Sequence, residues 1–305
     1  MKTLIATDGS PEAMAAVRVA SRLLRKVDNE FLVVCVAPEF SGVAEDVRSS
    51  ARSERIRSAY RQRITKETES ILDNARQMLH EQGFETNIAT EFGSPARTIL
   101  RLGGECDVIV VGATGKRDRS KLGIGPVASR VVEYGTGIIL VARELEPDSS
   151  WRVLLAVDGS ASSNRALSAI NAYFNAASFE VTCLHVVETP WLQFGLEERP
   201  FDYPADVTEK LDPEIQLEQE MKREAEILVE DFAVQLEGKV VGVSTIIREG
   251  NPATEILGEA EAEEYDLIVI GAGDKSDFKH QMLGSVSAKV AAQAPCSVAI
   301  VKFEE

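Results

Sequence analysis

The sequence is poor in residues that do covalent or metal chemistry. Its four cysteines, Cys35, Cys106, Cys183 and Cys296, form no CxxC pair and no disulfide-framework spacing. Three of them lie in or beside apolar, strand-like runs, so they read as small buried hydrophobes in a reducing cytoplasm. Three histidines, far apart, argue against a His-built metal site, and no carboxylate cluster follows metal-ligand spacing. No apolar run approaches the roughly 20 residues that span a bilayer. An apolar strand begins within two residues of Met1, which leaves no room for a signal peptide. The G-x-x-x-x-G-K-[S/T] loop is missing, since GATGK at 112–116 has the wrong spacing, so a Walker-type motor or kinase is unsupported. G-x-S-x-G is missing too, and no Ser, His and Asp order suggests hydrolysis. Nothing names a general base, and an enzyme is not expected.

Positive charge is also in short supply. Lys and Arg total 33 against 49 Asp and Glu, a net charge of −16, which argues against nucleic-acid or membrane partners. The deficit belongs to one half of the chain. Residues 1–145 carry 21 basic and 19 acidic side chains, net +2, whereas residues 146–305 carry 12 and 30, net −18.

What the chain does have is an internal repeat. Residues 3–10 read TLIATDGS and 153–160 read VLLAVDGS; residues 108–112 read VIVVG and 267–271 read LIVIG. Each half ends on an apolar strand, GIILVA at 137–142 and SVAIVK at 297–302. At 305 residues this is two similar domains, each long enough to fold alone. Domain 1 is expected over 1–145 and domain 2 over 151–305, with a linker at 146–150 in the polar run ELEPDSS.

Both halves alternate strand-like and helix-like signals, which reads as α/β: two tandem open parallel-sheet sandwiches, helices on both faces, about five strands each. In the first half, strands are expected at 3–7, 31–37, 85–90, 108–111 and 137–142. Ser10-Pro11 and Ser94-Pro95 are helix starts, and a long helix over 48–82 stops at Gly83. In the second half, strands fall near 153–157, 180–187, 240–247, 267–270 and 297–301, and Asn251-Pro252 is the matching helix start. About nine extra residues sit within 188–213, a stretch rich in Pro and aromatics that reads as a loop packing its own side chains, or as a lid or interaction surface.

In an open parallel sheet, ligands bind beyond the C-terminal strand ends, where the strand order reverses. After strand four, the first half has Gly112-Ala-Thr-Gly115, nine residues, then Gly125-Pro126 opening a helix. The second has Gly271-Ala-Gly-Asp274, nine residues, then Gly284-Ser285. After strand one both have Asp-Gly, at Asp8 and Asp158. Glycines let backbone N–H groups approach phosphate oxygens, and a helix N-terminus adds donors and a positive dipole end. A strand-end Asp can accept hydrogen bonds from ribose hydroxyls. It can equally shape its own turn and cap the next helix, and Gly271 and Gly284 can equally serve tight turns. His185, beside Val186, reads as a partly buried packing residue.

With these residues the chain resembles a tandem universal stress protein. The resemblance rests on the pattern G-x2-G-x9-G-[S/T], the strand-one Asp, the strand order and the ending CSVAIV at 296–301, and it covers essentially the whole chain, twice. It implies a Rossmann-like, adenine-nucleotide-binding fold with adenine against strand-two backbone and ribose near the strand-one Asp. The phosphates would lie across the glycine loop and the next helix start. The positions are Asp8, Val36, Gly112, Gly115, Gly125 and Val127 in the first copy. In the second they are Asp158, Val186, Gly271, Gly284, Ser285 and Val286. ATP is the expected ligand, with ADP, AMP and cyclic nucleotides left open, as is Mg²⁺. The resemblance also implies that strands 137–142 and 297–302 meet in an intramolecular pseudo-dimer, covering two sheet edges. A homodimer is left open.

Neither copy keeps the pattern whole. Pro126 removes a hydroxyl and an N–H from the first helix start, and a lost hydrogen bond to a charged group costs about 1.5–3 kcal/mol. Asp274 adds a carboxylate where phosphate would lie, a repulsion of about 1–4 kcal/mol. Lys116, Arg117, Arg119 and Lys121 make the first loop basic, with Lys116 a further binding candidate. The better site is therefore expected in domain 1, and the second loop reads as a degenerate site retained for structure. The expected function is a cytoplasmic stress-response regulator or sensor that binds an adenine nucleotide and an unidentified protein partner, with at most slow ATP hydrolysis. The alternative is a nucleotide-independent interaction scaffold, using the acidic half and its 188–213 insertion.

Overall fold

A computed structural model of the chain describes residues 1–39, 51–115, 123–143, 150–188, 213–273 and 283–302. Lys116, Arg117, Arg119, Lys121 and Asp274, the linker at 146–149 and nearly all of the 188–213 insertion lie outside the described residues. The chain separates into two compact units, one built mainly from Met1–Leu145 and the other mainly from Glu146–Ala172 and Ala176–Val301.

The first unit runs β1 (Lys2–Ala6), α1 (Pro11–Leu23), β2 (Glu30–Ala37), α2 (Ala51–Glu81), β3 (Glu85–Phe92), α3 (Pro95–Gly103), β4 (Val108–Gly112), α4 (Pro126–Tyr134) and β5 (Gly137–Ala142). Its strands lie in the order β3-β2-β1-β4-β5, all parallel. The second unit repeats the plan with β6 (Trp151–Ala156), α5 (Ala161–Tyr173), β7 (Phe179–Val187), α6 (Pro213–Leu236), β8 (Gly242–Glu249), α7 (Pro252–Ala262), β9 (Leu267–Gly271), α8 (Ser285–Gln293) and β10 (Ser297–Lys302). Its order is β8-β7-β6-β9-β10, again parallel.

Central strands are buried on both sides, so they read as continuous apolar runs instead of alternating ones. Every residue of β9 is buried, as are Val108, Ile109, Val110 and Val111 of β4. Helices cover the two faces. In the first unit α1 packs with α2 and α3 with α4; in the second α7 packs with α8 while α6 covers β7 and β8. Among the described residues, no helix is long and apolar enough to cross a membrane.

Helix starts follow the local chemistry. Ser10 Oγ accepts from Ala13 N at 3.1 Å, and Asn251 Oδ1 accepts from Thr254 N at 3.2 Å. Ser94 is the N-cap of α3, but its side chain makes no capping bond. The eighth strand begins two residues later than the sequence expects. Helix α6 ends at Leu236, Gly238 takes φ +72°, and residues up to Val241 are spent turning back to the sheet. Strand β3 runs on to Phe92, because β2 extends far enough for Ala37 to pair with it.

In both units the chain leaves the central strand, β1 or β6, to one side and later returns on the other through β4 or β9. The C-terminal ends of these strand pairs are therefore the switch points where an open α/β sheet forms a crevice. Each pair is also locked at its opposite end. Asp107 Oδ2 accepts the backbone N–H of Lys2, and Asp266 Oδ2 that of Arg152, both at 2.8 Å.

Candidate functional site

The strand-one aspartates build the turns they belong to. Asp8 Oδ1 accepts from Ser10 N at 2.9 Å, and Asp158 Oδ1 accepts from Ser160 N at 3.0 Å and from Ser160 Oγ at 2.5 Å. The glycine between takes a left-handed conformation in both turns, φ +74° at Gly9 and +77° at Gly159. One carboxylate oxygen is thus committed to structure. Asp8 is half-buried, whereas Asp158 is exposed.

The glycines after strand four also answer to packing. A Cβ on Gly271 would stand 2.6 Å from the Ser162 carbonyl oxygen, and one on Gly112 would stand 3.1 Å from that of Glu12. Each lets the helix after the first strand close on the strand end. A Cβ on Gly284 would meet the Ala272 carbonyl oxygen at 2.9 Å. That carbonyl accepts the Gly284 N–H at 2.7 Å, and the first unit has the same bond from Gly125 N to Ala113 O at 2.7 Å. These paired bonds hold the helix start against the strand exit. Among the described residues, no side chain caps either helix, which leaves the first-turn N–H groups they have without a side-chain acceptor.

In the second unit these elements enclose a cavity of about 590 Å³ at the switch point. Asp158, Val186, Gly271, Gly284, Ser285 and Val286, all six second-copy candidates, line it. Val187, Leu228 and Ile256 supply an apolar wall, and Ser162, Ser163 and Ser287 supply hydroxyls. Neither α5 nor α8 has an acid in its first turn, so the two helix starts at the cavity keep their positive dipole ends unopposed by their own side chains.

Three contributions to the cavity escape sequence reasoning. Ser162 and Ser163 stand where the first copy has Glu12 and Ala13, a difference that comparison of the repeats would have exposed. Gly273 takes φ +95° and passes beside Gly284; its counterpart, Thr114, is not left-handed. His185 lines the cavity and its Nδ1 lies 2.8 Å from the Val157 carbonyl oxygen. A carbonyl only accepts, so Nδ1 carries the proton and Nε2 is the nitrogen left for other partners. By strand register Cys35 holds this position in the first unit. Two residues before His185, burial first and the charge of Glu230 second push the Cys183 thiol up to about 12. That thiol is no nucleophile at neutral pH.

The first-unit candidates are brought together differently. Gly115 sits on the Asp8 carboxylate, where a Cβ would stand 2.9 Å from Oδ2. Val127 lies one residue into α4, whose first residue, Pro126, has no N–H to offer. Val36 pairs with Glu91 near the end of β2. Lys116 lies outside the described residues. Between the two helix starts, Ser285 keeps the donor that Pro126 lacks. Among the described residues, no three His, Cys, Asp or Glu side chains gather as metal ligands.

Comparison with known proteins agrees with the repeat. The model of the universal stress protein family matches residues 1–148 and again 151–302. A universal stress protein of Methanothermobacter thermautotrophicus is 38% identical over 125 residues, 40% of this chain and 76% of that protein. One of Mycolicibacterium smegmatis is 26% identical over 313 residues, covering 98% of this chain and 96% of its own. The crystal structure of a universal stress protein from Archaeoglobus fulgidus covers 99% of this chain and 98% of its own, with a TM-score of 0.61 at 18% identity, a likeness of fold. With both halves matched in full, this chain belongs to the universal stress protein family and carries its domain twice.

Proposed function

We propose that this chain binds an adenine nucleotide, ATP first among them, and acts as a regulator or sensor without dedicated turnover. The observation that carries the reading is the convergence of Asp158, Val186, Gly271, Gly284, Ser285 and Val286 on one cavity in domain 2. Its volume suits a small-molecule ligand. The base would lie along the β7 end against Val187, Leu228 and Ile256. The free oxygen of Asp158 would accept from the sugar, and the phosphates would face the uncapped start of α8. Domain 1 offers a second site, at Asp8, Val36, Gly112, Gly115, Lys116, Gly125 and Val127, in which Gly115 must lift from Asp8 to admit a ribose. Its output would be a change of conformation or of protein partner.

The test is calorimetric titration of the nucleotide-stripped chain with Mg-ATP, read for stoichiometry. One site, lost in Gly284→Asp and kept in Gly115→Asp, supports the domain 2 reading. The opposite pattern moves the site to domain 1, and two sites mean that both copies hold nucleotide. No heat and no competition at millimolar ATP would overturn the nucleotide reading in favour of an interaction scaffold. Phosphate release that scales with protein and survives purification would overturn the absence of turnover.

A further inference from the structure

We propose that the outer face of α2 docks, antiparallel, on the outer face of α6 in a second copy of this chain. The two helices are the same element of the repeat, each the long helix after the domain's second strand, yet their surfaces are opposite in charge. This contact is independent of the nucleotide reading.

Helix α6 buries Ala225, Val229, Phe232 and Leu236 against its own sheet. A helix covering a sheet ordinarily keeps its far side polar. Here Ile227 and Val234 stand on that side, 56% and 60% exposed, seven residues apart and so on one line. Glu220, Glu224, Glu230 and Asp231, all exposed, frame them, with Arg223 the one base on that side among the described residues. The result is an acidic stripe with an apolar centre.

Helix α2 shows the complement. It buries Thr68, Leu72, Ala75 and Leu79, and its far side reads Arg55, Ala59, Arg63 and Lys66, all exposed. Ala59 is the small residue in the middle. Among the described residues, Ala59, Gln62, Arg63, Lys66 and Glu67 line a shallow, open depression there. A branched side chain from outside has a place to enter, with bases on either side.

Helical spacing sets the register. With Ile227 over Ala59 and the helices antiparallel, Lys66 falls opposite Glu220, seven residues from the centre on each helix. Arg55 falls opposite Asp231, four residues the other way, and Arg63 comes between Glu224 and Arg223, so one like-charge contact stands against two opposite-charge pairs. A parallel arrangement would set Arg55 against Arg223, Arg63 against Asp231 and Lys66 against Val234, one repulsion, one attraction and one unpaired charge, which leaves the antiparallel register ahead by one ion pair. Arg63 holds Glu67 at 2.9 Å in the free chain, an exposed pair that exchanges at little cost. The same complementarity appears in the charge of the halves, +2 against −18, which steers a domain 1 face toward a domain 2 face and away from its own kind.

Two full-length variants test the contact by sedimentation. One carries Arg55→Glu and Lys66→Glu, the other Glu220→Lys and Asp231→Lys; all four positions are exposed, and thermal melts check that both fold. The wild-type chain is expected to associate at micromolar concentrations, at least about tenfold more weakly in high salt than in low. Each variant alone should sediment as a monomer, because its two stripes now have like charge. Mixed in equal amounts they should associate again, since each supplies the stripe that the other needs. A wild-type chain monomeric to several hundred micromolar, a variant that still self-associates, or a mixture that stays monomeric overturns the proposal.

Discussion

Gly115 lies so close to Asp8 that a Cβ at position 115 would stand 2.9 Å from Asp8 Oδ2. The other oxygen is held by Ser10 N at 2.9 Å, so Asp8 cannot turn aside without opening the bend after β1. Gly115→Ala is therefore expected to destabilise the chain by about 1–3 kcal/mol, the range for overpacking at a close contact. Urea unfolding of the full chain measures it. A change under about 0.5 kcal/mol, as at an ordinary surface site, would mean that the loop yields freely.

Ser285 and Pro126 are the same position in the two copies and differ in one donor. Proline suits the first turn of a helix, so Ser285→Pro should fold normally. It should weaken nucleotide binding in domain 2 by about 10- to 100-fold, the equivalent of a lost hydrogen bond to a charged group. Pro126→Ser should strengthen any domain 1 binding in the same measure. Titration calorimetry of both variants checks the pair, and unchanged affinity in Ser285→Pro would remove the helix start from the site.

Glu259 is 5% exposed and takes both of its hydrogen bonds on Oε2, from Arg248 Nη2 at 2.6 Å and Nε at 3.0 Å. Among the described residues, its Oε1 has no hydrogen-bond partner. Arg248→Met leaves this carboxylate buried and uncompensated, for which about 3–5 kcal/mol is typical. Because the Arg248 side chain is 45% exposed, the low end applies. Replacing both residues with Met should cost less than replacing Arg248 alone. Chemical denaturation of the three variants decides it; a double variant weaker than Arg248→Met would contradict the burial argument.

The Cys183 thiol gives the chain a stability slope in alkali. Its folded value is raised from 9.0 to about 12 by burial, with Glu230 adding to it. Below pH 9 folded and unfolded thiols both keep their protons. Between 9 and 12 only the unfolded thiol ionises, so stability falls as pH rises, by up to about 1.4 kcal/mol per pH unit. Urea midpoints at pH 9, 10 and 11 should therefore fall more steeply in the wild-type chain than in Cys183→Val. Equal slopes would mean that the buried thiol ionises freely.

Much of the site was legible in the sequence because the repeat supplies its own control. Asp8 with Asp158, Gly112 with Gly271 and Gly125 with Gly284 each occupy one structural position twice, and pattern alone pairs them. Other contributions had no local signal. Leu228 and Ile256 reach the cavity from helices whose apolar residues look alike from either side. His185 reads as a packing residue until its ring is found on the Val157 carbonyl. Val240 and Val241 read as strand because β-branched residues favour strands, yet Gly238 and the end of α6 require them in a turn.

Sequence alone determined the doubled domain, the parallel α/β class and the family, since apolar runs, Ser-Pro helix starts and Asp-Gly turns are local and recur in order. The tertiary structure decided what the motif glycines and aspartates are for. A glycine names no neighbour until the Ser162 carbonyl is found where the Gly271 Cβ would be. Whether a strand-end carboxylate is open like Asp158 or covered like Asp8 depends on segments more than a hundred residues away, and only folding brings these together.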